Sequence, residues 1–300
     1  MSAWNAGEII ANMMTWAINQ LKDSGDGVAK IMAGQDTGSI GNLGAITNEL
    51  TGVIQSEVIP AAQAVGYAIA VTFFIFALAN MLTGDRLTVE QFIKFFAKLG
   101  VGIFIVSVSD ELFRACLDFG DGISTLFSAS FPSASITVPD DLSNQINEVV
   151  GKGLGNFIKA IIMSFISILP CVVASLAIKV LVYVIAFTRL IELCARGCFI
   201  PIAAGLVSDD GWRGAGGRYF RKFLAICSQS AILVVIGKIA SYALGTIGNS
   251  ILTNLPSLVT AGTMGILNIG GQLAIMIGIG IAMVSVMFKS IGIVNDAFGA

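Results

Sequence analysis

The sequence predicts an all-α, polytopic membrane protein with about five transmembrane helices. The N-terminus is expected outside and the C-terminus inside. Three observations carry this. Hydrophobic residues make up 55% of the 300 residues and charged residues 12%, against about 25% charged in soluble domains. Apolar runs long enough to cross a bilayer recur along the chain. Basic residues gather in alternate connections, as the positive-inside rule requires.

Residues 1–57 read as an extracytoplasmic N-terminal segment. Between 4 and 21, Ile9, Ile10, Met13, Trp16, Ala17 and Leu21 gather on one face at helical spacing. With Trp4 and Trp16, this amphipathic helix fits the membrane interface. Packing on protein fits equally well. Glu8 and the missing basic start argue against a cleaved signal peptide. Residues 24–56 are rich in Gly, Ser, Thr and Asn and predict loops and short helices.

Residues 58–300 form the transmembrane domain. Its first span covers about 60–82, where Pro60 suits a first helical turn. Ala62, Gly66 and Ala70 recur every four positions, a small-residue stripe that lets another helix approach. The second span, about 92–116, has a short uncharged core, so other helices should shield it. An acidic extracytoplasmic loop follows at 118–152, where Asp140 and Asp141 can cap a helix.

The stretch 157–206 is too long for one straight crossing of about 30 Å. The third span is expected at 160–190, kinked or broken at Pro170. Lys179 interrupts it. That lysine is either a functional midplane charge or one at a helix interface reaching for water. The last spans cover about 223–244 and 265–288. Ala274, Gly278 and Ala282 repeat the small-residue stripe in the last one.

Charge sets the topology. Residues 1–57 hold two basic and six acidic groups, and residues 110–152 hold two and seven. Residues 189–222 hold six basic (Arg189, Arg196, Arg213, Arg218, Arg221, Lys222) and three acidic. The basic segment 189–222 therefore lies in the cytoplasm, as does the connection carrying Arg86, Lys94 and Lys98. Two crossings within 157–206 would turn the most basic segment outward, so a single crossing with a cytoplasmic extension is favoured. Arg189, Glu192 and Arg196 should then form one paired ladder on the exposed end of the helix. Pro201 should end that helix, letting the next apolar residues dip toward the membrane.

Catalytic chemistry is scarce. There is no histidine, the usual general base and metal ligand. The five cysteines are scattered through apolar sequence and read as small buried hydrophobes. The run GWRGAGGRYFRKF lacks a phosphate-loop ending and reads as a tight turn into a helix. Its basic residues suit membrane anchoring, lipid headgroups, a partner protein or nucleic acid. No enzyme activity, cofactor or metal is expected.

Residues 189–233, RLIELCARGCFIPIAAGLVSDDGWRGAGGRYFRKFLAICSQSAIL, carry a family resemblance. A basic residue precedes an acidic one by three positions (Arg189, Glu192). A proline-containing apolar run follows (Pro201). Then come a Trp/Gly turn (Trp212) and an aromatic–basic set (Tyr219, Phe220, Arg221). The chain resembles the polytopic inner-membrane subunit of bacterial type IV secretion and conjugation systems, the TrbL or VirB-six family. The tail FKSIGIVNDAFGA also looks like the ends of such proteins. The resemblance implies a channel or scaffold in the bacterial cytoplasmic membrane that helps a DNA–protein substrate across and supports stalk or pilus assembly. It implies other secretion subunits and separate ATPases as partners, with contact to membrane lipid. It also implies a homo-oligomer, with five copies as the family's suggestion. Arg189, Glu192, Arg196, Pro201, Trp212, Arg213, Arg218, Arg221, Lys222 and Lys179 are the candidate assembly or conduit residues.

Two other classes compete. A small-solute transporter or ion channel would show related halves and midplane charges. No internal repeat is visible, and Lys179 is the one midplane candidate read from the sequence. A phage or toxin pore would have little use for the long acidic loop and the basic segment.

Overall fold

The computed structural model describes residues 6–32, 43–82, 89–132, 135–137, 139, 141–142, 144, 147–148, 154–210, 213–260 and 263–299. Among the described residues there are helices and no strand. In chain order the long elements are α1 (Ala6–Met32), α2 (Leu43–Val53) and α3 (Ile59–Leu82), the last two joined by a π-helical turn, Ile54–Val58. They continue with α4 (Val89–Ser107), α5 (Ser109–Ser130), α6 (Leu154–Gly197), α7 (Ile200–Asp210), α8 (Ala215–Thr260) and α9 (Thr263–Phe298).

Four stretches are long and apolar enough to cross a membrane: Ile46–Asn80, Ile168–Gly197, Ala215–Asn254 and Gly270–Phe298. The count reaches five if Phe92–Ser107 and Ser109–Ser130, bent by 63°, make one span. A multi-pass membrane protein is thus supported. The second expected span, 92–116, is corrected to this bent pair. At the break the Phe104 carbonyl accepts both the Ser107 hydroxyl at 2.7 Å and the Val108 amide at 3.1 Å. Asp110 and Glu111 then start α5 in its first turn, where the helix dipole favours acids.

The polar connection expected from 118 onward starts later, because α5 runs to Ser130. Ser124 and Thr125 bond back to the carbonyls of Asp121 and Gly122, so these hydroxyls are satisfied within the helix. Asp140 lies outside the described residues. Pro170 does not break α6, which runs uninterrupted from Leu154 to Gly197. A proline removes one ladder donor, and membrane helices accommodate that loss.

The chain divides into two compact units. The first comprises Met1–Met32, Phe127–Ile185 and Leu233–Phe288. In it α1 buries Met14, Ala17, Ile18, Leu21 and Val28, steps of three, four and seven that make one stripe. The expected apolar face is corrected: Ala17 and Leu21 turn inward, while Ile9, Met13 and Trp16 stay exposed. The packed alternative therefore describes α1's inner face. Gly25 and Gly237 meet backbone to backbone, each leaving no room for a Cβ against the other's carbonyl. Ile18 fills the space beside Gly248. Asn249 on α8 accepts from the Thr137 amide at 3.0 Å and donates to the Ser135 carbonyl at 3.0 Å.

The second unit comprises Ala33–Leu126, Ala186–Ile232 and Lys289–Ala300. Here α3 and α4 form an antiparallel hairpin. Phe74 meets Phe96 at 5.1 Å between ring centroids. Near the other end, Gln63 donates to the Val106 carbonyl at 3.2 Å and to Ser109 Oγ at 3.1 Å. That side chain serves the backbone where α4 gives way to α5, which hydrocarbon could not do. Ile75, Phe76, Ile93 and Phe104 project outward, as lipid-facing side chains do.

Candidate functional site

The site is built where α6 ends, within the second unit. Phe113 of α5 and Phe223 of α8 are fully buried and stacked, 5.9 Å between centroids. Gly197 closes α6 against the Phe113 ring, where a Cβ would collide. Around this pair lie Val106, Leu193, Ile200, Ala204, Val207 and Ile226. Burying a side chain of this size is worth about 1.5–3 kcal/mol where water is the alternative. The end of α6 is therefore a fixed platform.

Pro201 does not end α6, as had been expected. It lies in the first turn of α7, which begins at Ile200. A first-turn proline loses no ladder bond, because the first helical amides have no partner inside the helix. The turn between is closed by the Cys198 amide on the Cys194 carbonyl (3.2 Å) and the Phe199 amide on Arg196 (3.1 Å). Cys198 Sγ donates to the Cys194 carbonyl at 3.1 Å. Burial pushes the Cys198 thiol up, which disfavours its reactive thiolate.

Helix α7 packs on α3 and α4. Gly66 admits the carbonyl of Pro201, and Gly205 admits the carbonyl of Gly66. Ala70 is fully buried and Ala62 half-buried. On the far side, Gly216 of α8 admits the Ala203 carbonyl. The 62/66/70 stripe thus meets α7 inside this chain. The stripe at Ala274, Gly278 and Ala282 differs. All three are exposed, and nothing lies within 4 Å of a Cβ placed on Gly278.

The three charges at the end of α6 part company. Arg196 pairs with Glu192 at 2.6 Å. Both are partly exposed, so the pair is worth about 0.3–0.5 kcal/mol. Arg189 reaches across the unit instead. Its Nη2 donates to the Cys227 carbonyl of α8 at 3.3 Å, and Asp121 of α5 attracts it electrostatically. The expected ladder is corrected to one local pair and one cross-helix tie. Glycine permits the tie: Gly120 of α5 lies against the Cys227 backbone with no space for a Cβ. The Ser230 hydroxyl has the Gly120 carbonyl at 3.2 Å and the Cys227 carbonyl at 3.1 Å as alternative acceptors. Deeper in α8, Gln229 donates to Ser290 Oγ at 2.8 Å.

The start of α8 supplies the basic face. Tyr219 donates its hydroxyl to the Arg196 carbonyl at 2.6 Å, capping the last turn of α6 from another helix. Phe220 is buried beside it. Arg213, Arg218, Arg221 and Lys222 are exposed. Trp212 lies outside the described residues. The glycine-rich turn is shorter than its sequence suggests, because Ala215 already begins α8 and Gly216 and Gly217 lie in its first turn. This arrangement presents cations on a rigid support, suited to holding an anionic surface.

In the first unit, Lys179 donates to Gln20 Oε1 of α1 at 2.6 Å. Sequence reasoning missed what lies nearby. Asp26 of α1 sits between Lys22 (3.8 Å) and Lys238 of α8 (3.6 Å), all three side chains 12–14% exposed. The signal was present: Lys238 interrupts the apolar run 223–244. Among the described residues no cluster of three His, Cys, Asp or Glu is placed to hold a metal.

Comparison with known protein families, curated proteins and solved structures finds no match to this chain.

Proposed function

We propose that the chain is an inner-membrane channel or scaffold subunit of a type IV secretion machine in the bacterial cytoplasmic membrane. It helps a DNA–protein substrate pass and supports stalk or pilus assembly, and separate ATPases supply the energy. One observation supports this above others. Among the described residues of 189–232, which lie in the second unit, α6, α7 and α8 are joined through Tyr219, Gly216 and Arg189. The same segment leaves Arg213, Arg218, Arg221 and Lys222 exposed. A buried scaffold under an exposed basic edge is what a docking subunit needs.

In this reading five spans cross the membrane, the bent α4–α5 pair counting as one, with both basic segments opening to the cytoplasmic side. The second unit adds a demand. Gly66, the seat of α7, lies 16 residues before Leu82, about 24 Å along α3, and Gly197 and Phe223 pack on Phe113 beyond Val106. With 83–98 in the cytoplasm, the end of α6, α7 and the start of α8 together reach into the bilayer from that side. The buried residues Ile200, Ala203, Ala204 and Val207 of α7 suit that place. Copies of the chain assemble into a ring, five by analogy with the family.

Affinity purification of the tagged full chain from its own host tests the reading. Secretion subunits and their ATPases are expected to copurify. A stable lone monomer that moves a small solute in liposomes would overturn it. That second reading, a small-solute transporter or ion channel, is favoured by the partly buried charges Lys22, Asp26, Lys238 and Lys179.

A further inference from the structure

The first unit carries three lysines and one aspartate where α1 meets α6 and α8. Gln20, Lys22 and Asp26 fall within seven residues of α1, a rise of about 9 Å. Lys179 and Lys238 converge on that stretch from two other helices. Lys179 lies in the apolar stretch Ile168–Gly197 of α6. Charges within such a stretch are costly unless matched. Here Lys22 and Lys238 share one carboxylate, and Lys179 turns to neutral Gln20.

The carboxylate is also held loosely. Its contacts of 3.6 and 3.8 Å exceed the 2.7–2.9 Å of a charge-assisted hydrogen bond. Asp26 Oδ1, though buried, accepts no hydrogen bond. The frame is nevertheless rigid: Gly25 and Gly237, the neighbours of Asp26 and Lys238, touch backbone to backbone. Two ammonium groups thus flank one slot, and the Asp26 side chain fills it.

We propose that this slot is a binding site for a small inorganic anion of chloride size, and that the Asp26 carboxylate is its internal competitor. With no anion bound, Asp26 sits between Lys22 and Lys238. An entering anion takes the ammonium donors, and Asp26 swings aside. Lys179, tied to neutral Gln20 about two turns before Asp26 on α1, adds positive potential. The site belongs to the first unit and stands independently of the secretion reading.

The test uses the purified full chain in nanodiscs, with sodium chloride replacing sodium gluconate at constant ionic strength. Chloride is expected to raise the melting midpoint saturably. Lys238→Gln and Lys22→Gln should each weaken the apparent chloride affinity about tenfold, and Lys238→Arg should retain most of it. Asp26→Asn decides between a site and a plain structural triad. A site predicts tighter chloride binding once the competitor is neutral. A structural triad predicts a lower midpoint that chloride does not restore. A wild-type midpoint indifferent to chloride, or an Asp26→Asn protein with weaker chloride response, would overturn the proposal. Copurification with secretion subunits has no bearing on either outcome, so the two readings fail separately.

Discussion

Arg189→Ala is expected to cripple substrate transfer while Arg196→Ala leaves it near normal. The two arginines look alike in sequence, both in the last turns of α6. Their surroundings differ. Arg196 has one partner, Glu192, on its own helix and near the surface. Losing that pair costs about 0.5 kcal/mol or less. Arg189 ties two helices: from α6 it donates to the Cys227 carbonyl of α8, beside Gly120 of α5. Removing it strips a charged donor from an interior carbonyl, at about 1–3 kcal/mol. The damage should fall on the register of α8 against α5, and so on the basic edge that follows. Transfer frequency and melting midpoint, measured together, check this. Normal transfer in Arg189→Ala would make the tie a bystander.

The second large effect concerns glycine. Gly66→Val should lower stability by about 1–3 kcal/mol, the usual cost of overpacking a close contact. Its Cβ would run into the Pro201 carbonyl, unseating α7. Gly205→Val should do the same from the other side. Gly278→Val should be nearly silent in the isolated chain, since nothing is near it. Melting midpoints of the three variants in one detergent make the comparison. A silent Gly66→Val would mean that α7 is not seated on α3.

Much of the architecture was legible because hydrocarbon imposes simple rules. Apolar length marks α3, α6, α8 and α9, and Pro60 falls in the first turn of α3. What was less legible depended on partners distant in sequence. The break at Val108 is served by Gln63, which lies 43 residues before Val106. Pro201 looked like a terminator because a proline reads the same at the start of one helix as after the end of another. Arg189, Glu192 and Arg196 have ladder spacing, but Gly120 opens a route to Cys227 that no local pattern reveals. Lys238 was visible as a charge in an apolar run. Its partner Asp26 was not, since it lies in a helix whose mixed composition allowed either a membrane surface or a protein surface.

The most direct test of the account is the sidedness of its basic segments. The five native cysteines are replaced, single cysteines are placed at Arg86, Asp140 and Asp209, and intact cells are treated with an impermeant thiol reagent. The account predicts that Asp140→Cys is labelled and that Arg86→Cys and Asp209→Cys are protected until the membrane is opened. Labelling of Asp209→Cys in intact cells, with Asp140→Cys protected, would contradict it.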